Sequence, residues 1–317
     1  MIDIEHSEVD IVIVNWNSGL FLSNCLDSLN NKLIEKVSKV IVIDNNSSDN
    51  SLKILKKYRF ELTIIENLHN VGFATACNQG AKLCTSDNIL FLNPDTEVFE
   101  DTIAQPLRFL KDPDNSNIAV VGVRLEDEKG KFSTSCARFP NLKSYIYRAI
   151  GLSFIFPKYF GYTFMSEAEC SENMFVDQIN GAFFLIRRHV FEKLGGFDER
   201  FFMYMDEVDL SFRVKKLGYN SYYMSNVRAF HYGGGCSDQI KVERVFYSLR
   251  SRVQFFWKHY SIRYKFLILL EVFILEFISR IIFSLLIMNS NKFLGTFKIY
   301  YLLYRWLLSS KKLNKPV

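Results

Sequence analysis

A chain of 317 residues, 49% of them apolar, can bury a large core of its own, which excludes a small stapled module. The net charge of +5 is unevenly spread: residues 261–317 hold nine Lys/Arg against two Glu, a net of +7, which leaves −2 for residues 1–260. A near-neutral body with no basic face interleaved with aromatics excludes a nucleic-acid binder, while a basic, greasy tail points to a membrane surface.

In chain order, residues 9–14 are an apolar run that ends in Asn15-Trp16-Asn17-Ser18-Gly19, and apolar positions 22, 26 and 29 then recur at helical spacing. Residues 37–43 repeat the strand pattern and stop at Asp44-Asn45-Asn46-Ser47-Ser48-Asp49, a turn that offers caps for a helix expected over 52–58. A third short strand at 62–65 leads through Asn67 to Gly72 into a small-residue helix over 73–83. Ile89-Leu90-Phe91-Leu92 is too short for a helix and is bounded by polar residues, which suits a strand covered on both faces. Pro94 ends it, because proline has no N–H for a sheet ladder. Asp95 is thereby held at the carboxyl end of a central strand, where open α/β sheets bind ligands and where a carboxylate can hold a divalent metal against a diphosphate. The alternative there is an Asx turn without a ligand.

Strands alternating with helices of about ten residues imply right-handed crossovers and a mostly parallel sheet, so the fold class is α/β and residues 9–98 form a nucleotide-binding half. The dinucleotide version is excluded, since no G-x-G-x-x-G follows the first strand. A helix over 102–110 and strands at 118–123 and 131–136 come next, and the aromatic-rich residues 138–175 are expected to be loop and short helices covering a site. Residues 181–188 read as a buried strand, with Gly195-Gly196 breaking the short helix behind it. Residues 201–213 run into a helix on which Asp206 and Asp209, three apart, face one way, and Asp209 and Arg213, four apart, can pair. The pair reads equally as a structural ion pair or as support for a site, and acidic residues at a helix start also serve the helix dipole. A short strand at 220–224 leads to His231 in a glycine-rich turn.

These pieces together resemble the inverting nucleotide-sugar transferases of glycosyltransferase family 2, with the GT-A fold. The resemblance runs over residues 9 to about 260 and rests on seven motifs in order: Asn15-Trp16-Asn17, residues 42–49 around Asp44, Asn70 to Ala74 with Asn78, Leu92-Asn93-Pro94-Asp95, Gly181 to Arg187, Phe201 to Arg213, and His231 with its glycines. The Asn-Pro-Asp motif and the segment ending in Tyr204 look most like bacterial rhamnosyltransferases of surface-polysaccharide assembly, such as O-antigen or cell-wall synthesis. The resemblance implies that Asp44 accepts a hydrogen bond from the imide of thymine or uracil and that Asn15, Asn17, Asn70, Gly72, Asn78 and Asn93 line the nucleotide sugar. Asp95, with His231, would ligate Mg²⁺ or Mn²⁺. Gly181, Arg187, Tyr204, Asp209 and Arg213 would lie on the acceptor side.

Asn93 stands where many relatives carry the first Asp of a D-x-D motif, so this chain has fewer charged ligands. The pair Asp206-Glu207 matches the family's usual Glu-Asp in reversed order. Its second member, Glu207, is the expected general base, with Asp206 the second choice; a base is needed because a sugar hydroxyl is a poor nucleophile until its proton is taken.

The expected donor is dTDP-rhamnose, with UDP-galactose or UDP-GlcNAc as alternatives, and the expected acceptor is a polyprenyl-diphosphate-linked saccharide. A different reading is an idle scaffold or sugar-binding module, against which the three acids Asp44, Asp95 and Glu207 speak. Two domains are expected: a catalytic domain over 1–260, with nucleotide and acceptor halves at 9–98 and 99–260, and a helical tail over 261–317. The tail's apolar stretch is interrupted by Glu271, Glu276 and Arg280, which suits amphipathic helices lying on the cytoplasmic face of the inner membrane, with Lys311, Lys312 and Lys315 on anionic lipid. The alternative is packing onto the catalytic domain or a homodimer partner. Six cysteines without a C-x-x-C pair, and an N-terminus unlike a signal peptide, suit a reducing cytosol.

Overall fold

The fold comes from a computed structural model that describes residues 9–32, 37–55, 58, 60–156, 159–160, 163–234 and 240–309. The elements begin with β1 (Val9–Asn15), α1 (Leu20–Lys32), β2 (Val37–Asp44), β3 (Glu61–Glu66), α2 (Phe73–Ala81), β4 (Asn88–Leu92), β5 (Thr96–Val98), α3 (Ala104–Lys111) and β6 (Ile118–Glu126). Short pieces follow: β7 (Phe132–Ser133), β8 (Cys136–Ala137), α4 (Leu142–Ala149), α5 (Leu152–Ile155), β9 (Met174–Val176) and β10 (Gln178–Ile179). The chain then forms β11 (Phe183–Arg187), α6 (Arg188–Lys193), α7 (Asp206–Lys216) and β12 (Asn220–His231), and finishes in α8 (Lys241–His259), α9 (Ile262–Leu270), α10 (Phe277–Leu286) and α11 (Ser290–Ser309).

Two compact units result, one of residues 1–138, 164–198 and 206–236, the other of 139–163, 199–205 and 237–317. Residues 237–260, read from the sequence with the catalytic half, fall in the second unit. So do residues 139–163, whereas 164–176 return to the first unit and pair β9 with β12.

The first unit is built on a sheet of order β3-β2-β1-β4-β11-β6-β12-β5. β3, β2, β1 and β4 run parallel, β11 is antiparallel to β4 and β6, and β12 is parallel to β6. Every residue of β1 and β4 is buried, as strands covered on both faces should be. Alternation sorts their side chains: Ile11, Ile13, Val40, Val42 and Leu90 meet α1 on one face, while Val12, Ile41, Ile43 and Phe91 meet Ala74 and Cys77 of α2 on the other. The register sets Asn15 beside Asp44, Asp44 beside Glu66, and Ile13 beside Leu92, so the carboxyl ends of the parallel strands share one edge.

Two expectations change. In place of a helix over 52–58, residues 51–54 form a turn closed by Lys53 N–H and Ile54 N–H on the Asn50 carbonyl, and part of the expected helix lies outside the described residues. The physical reason is local competition: Asp49 accepts from the backbone N–H of Ser51 and, at 2.7 Å, of Gly19, which ties this segment to the start of α1. The strand expected over 220–224 runs on to His231, because a register shift between Met224 and Arg228 lets β12 continue along β6 and then pair with β5.

In the second unit, residues 199–205 dock on α8: Phe202 stacks on Tyr247 at 4.5 Å, and the Ser251 hydroxyl donates to the Met203 carbonyl. α9 passes through a π-helical turn, Glu271–Glu276, directly into α10. A π turn brings residues five apart onto one side, where on an α-helix Glu271 and Glu276 would diverge by about 140°. Both are buried, and both accept from Arg252 of α8, at 3.2 and 3.1 Å. Arg280 closes on Glu276 at 2.6 Å, and the Arg252 guanidinium lies 4.0 Å over the Tyr145 ring. The charges that interrupt the tail's apolar stretch in sequence therefore form the inside of the unit. Among the described residues no helix is long and apolar enough to cross a membrane. Lys311, Lys312 and Lys315 lie outside the described residues.

Candidate active site

The carboxyl edge of the parallel strands carries a dense polar network. The Asn15 amide donates to Asp44 Oδ1 at 2.6 Å and to the Ser47 and Ser51 hydroxyls, while the Ser47 N–H and hydroxyl both donate to Asp44. Asn15 and Asp44 are buried, so the hydrogen bond between them forms away from water. Asn17, at a left-handed φ of 48°, accepts from the Ser48 N–H. Burial would raise the Asp49 carboxyl, but hydrogen bonds from Ser51 and Gly19 outweigh it and hold it below the ordinary range.

Asn70 accepts from the Gly72 N–H, and Gly72 takes φ 90° and ψ 165°, open in practice only to glycine. Its carbonyl accepts from Asn45, whose own carbonyl accepts from Asn67, which in turn exchanges hydrogen bonds with Gln79. Sequence reasoning passed over Asn45, Asn67 and Gln79. Their signal was an excess of amides at strand ends, where carboxamides can serve backbone and side chain together.

Asp95 follows β4 in a turn closed by Thr96 N–H on the Asn93 carbonyl, and the Asn93 N–H donates to Ala182. The Tyr232 N–H reaches the Asp95 carbonyl, which brings the end of β12 over this turn and sets His231 Nε2 3.4 Å from Asp95 Oδ1. Behind it lies Cys25, whose thiol is pushed up by burial and then by Asp95.

Ala182 also accepts from the Thr96 hydroxyl, and its N–H is held by Asn180, another residue that sequence reasoning missed. Beside it, Gly181 lies against Glu207: a Cβ there would stand 3.9 Å from the Glu207 Cβ and Cγ. The Asp95 turn and Glu207 are thus joined through two consecutive residues, Gly181 and Ala182.

Asp206 and Glu207 open α7 and take opposite environments, since Asp206 is buried and Glu207 is half-buried. Burial in the first place and the Glu207 carboxylate in the second push the Asp206 carboxyl well above the ordinary range, which favours its neutral form. Its Oδ2 has no hydrogen-bond partner among the described residues. The two residues before it, Tyr204 and Met205, both hold left-handed φ angles of 65° and 64°. Such strain in non-glycine residues collects at functional sites. Tyr204 itself belongs to the second unit.

Three of the expected residues are held by backbone groups. Arg187 pairs with Asn88 at the far end of β4 from Asp95, and its guanidinium donates to the carbonyls of Ile118, Leu110 and Asn115, at the opposite edge of the sheet. Asn78 exchanges two hydrogen bonds of 2.9 Å with the Phe197 backbone, so its amide grips the Gly195–Gly196 turn. Arg213 pairs with fully buried Asp209 at 2.7 Å and donates to the Leu194 and Gly196 carbonyls. Asn78 and Arg213 therefore clamp one turn between α2 and α7.

The family model described as "Glycosyl transferase family 2" matches residues 10–195, more than half of the chain. The chain belongs to glycosyl transferase family 2. Among its relatives, the N-acetylglucosaminyl-diphospho-decaprenol L-rhamnosyltransferase of Mycobacterium tuberculosis is 26% identical over 234 residues, 70% of this chain and 75% of the relative. The rhamnosyltransferase WbbL of Escherichia coli K12 is 27% identical over 231 residues, 71% of this chain and 83% of the relative. In fold, the chain is similar to a mannosyltransferase of Pyrobaculum calidifontis solved with GDP-Man and Mn²⁺, at a TM-score of 0.55 and 15% identity, over 97% of this chain and 77% of that one. The α/β architecture is that of GT-A glycosyltransferases.

The site fits a divalent ion in its donors. The Asp95 carboxylate suits Mg²⁺ or Mn²⁺, and the His231 imidazole, 3.4 Å from it, suits Mn²⁺ better than the harder Mg²⁺. The His231 Nδ1 is buried and has no hydrogen-bond partner among the described residues. Among those residues no group of three or more His, Cys, Asp or Glu could hold a metal, so an ion here would draw further ligands from the donor and water.

Proposed function

We propose that the chain transfers L-rhamnose from dTDP-rhamnose, with inversion, to a polyprenyl-diphosphate-linked saccharide at the cytoplasmic face of a bacterial inner membrane. The observation that carries the chemistry is the split pair: a half-buried Glu207 beside a buried, neutral-leaning Asp206, linked through Gly181 and Ala182 to the Asp95 turn. Two relatives named as rhamnosyltransferases, each matched over about 70% of this chain, support the choice of sugar.

In this reading the Asp44 network receives the base of the nucleotide, and Gly72, lacking a side chain, lets the backbone approach it. Asp95 and His231 would hold a divalent ion, which supplies positive charge to the departing diphosphate. Glu207 takes the proton of the acceptor hydroxyl as that oxygen attacks the anomeric carbon. The bond from that carbon to the diphosphate oxygen breaks, and its electron pair leaves with the nucleoside diphosphate. Asp206 keeps its own proton and stabilises the Glu207 carboxylate by donating to it.

The test offers the purified chain a panel of nucleotide sugars with a polyprenyl-diphosphate-linked GlcNAc acceptor and Mg²⁺ or Mn²⁺, and reads released nucleoside diphosphate. Release and glycolipid product with dTDP-rhamnose are expected. Turnover with UDP-galactose or UDP-GlcNAc in its place overturns the sugar, and turnover undiminished in excess chelator overturns the ion.

A further inference from the structure

Helices α9 and α10, joined by their π turn, are built inside out. Between Phe266 and Met288 every exposed residue is apolar, while Glu271 and Glu276 are buried and Arg280 leans inward onto Glu276. Phe266, Leu270, Ile274, Ile278, Ile282 and Leu286 form one outward stripe at steps of four residues. The hairpin that follows is its most exposed part, with Leu286 at 76% and Met288 at 91%. A helix facing water turns its charges outward and its apolar stripe to the core. Here the ionic clasp of Arg252, Glu271, Glu276 and Arg280 turns the stripe away from the unit.

We propose that residues 266–288 insert this stripe into the boundary between headgroups and acyl chains of an anionic bilayer leaflet, lying in its plane. An uninterrupted apolar surface suits lipid better than a second copy of the chain, since interfaces between copies are about a third polar. Exposed cations flank the stripe, Arg263 before it and Lys292 and Arg305 after it, where they meet anionic headgroups. The absence of any helix able to span a membrane among the described residues agrees with a helix lying in the interface. The purpose of this contact, presenting a lipid-linked acceptor, rests on the proposed function; the contact itself does not.

The test is sedimentation of the full chain with acceptor-free vesicles of phosphatidylcholine and about 30% phosphatidylglycerol. Binding is expected to persist at about 1 M NaCl, where charge attraction is screened within about 3 Å. Replacing two outward residues, Ile274→Glu with Ile278→Glu, should lower partitioning by about a hundredfold or more, while donor turnover with a short soluble acceptor is unchanged. Release of the wild-type chain by salt overturns insertion in favour of surface adsorption and needs no variant. Undiminished binding by the double variant places the contact elsewhere and overturns the proposal. A wild-type dimer by analytical ultracentrifugation that the variant breaks, with no vesicle binding, assigns the stripe to a second copy. Vesicle binding without transfer of any nucleotide sugar overturns the proposed function and leaves this inference standing.

Discussion

The opposite surroundings of Asp206 and Glu207 predict which of two adjacent acids carries the reaction. Asp206 is 3% exposed, leans to its neutral form, and has an Oδ2 without a partner among the described residues. Asparagine is nearly isosteric with a protonated aspartate, so Asp206→Asn should cost at most about 1 kcal/mol of stability and leave kcat within about tenfold of wild type. Glu207→Gln removes the proton acceptor. General-base catalysis is worth about 100- to 10,000-fold, so kcat should fall by that factor, equivalent to about 2.7–5.5 kcal/mol in the barrier. Glu207 meets the Asp95 turn through Gly181 and Ala182 and not as a donor-side group, so nucleotide affinity should stay within about threefold. The assay is transfer at saturating donor, with donor binding measured separately by calorimetry and folding by thermal unfolding. A larger loss of kcat in Asp206→Asn than in Glu207→Gln, with both variants folded, refutes the reasoning.

Three further outcomes are expected. Asp95→Ala and His231→Ala should each weaken Mn²⁺-dependent donor binding, the first by more because it removes the charged ligand; equal donor affinity with and without Mn²⁺ in the wild type would count against both. Gly72→Ala forces a side chain into φ 90°, ψ 165°, so denaturant unfolding should show a loss of about 1–3 kcal/mol, and an unchanged midpoint would contradict the backbone argument. The third concerns pH. Burial pushes Glu271 up to about 7, against the pull of Arg252, whereas for Glu276 burial is outweighed by Arg252 and Arg280, which hold it down at about 2. An acid with a raised pKa binds its proton more tightly when folded, so stability falls as pH rises from about 4.5 to 7, by about 3 kcal/mol for this shift. Glu276 acts the other way and only below that window, losing its contribution as pH falls from about 4.5 toward 2. Glu271→Gln should flatten the upper slope and be the more stable protein at pH 8 in unfolding measured at both ends of the window; an unaltered slope would assign it to another group.

Much of the first unit could be read from the residues alone, because its determinants are local. An apolar run of Ile89 to Leu92 stopped by Pro94 is a buried strand whatever surrounds it, and a carboxylate after that stop must sit at the sheet's carboxyl edge. The same holds for Asp44 after β2 and for the helix that begins at Asp206. Tertiary structure decided what depends on partners distant in the chain. Arg187 and Asn78 lie in motifs with the right spacing, yet strand register carries one to the opposite edge and a clamp on the Phe197 backbone occupies the other. That Asp206 is pushed toward its neutral form follows from burial, which adjacent positions in a sequence do not reveal. The tail depended on it most: read at 3.6 residues per turn, Glu271 and Glu276 fall on different sides of a helix, and only the π turn, with Arg252 waiting on α8, brings them to one side and turns the apolar stripe outward.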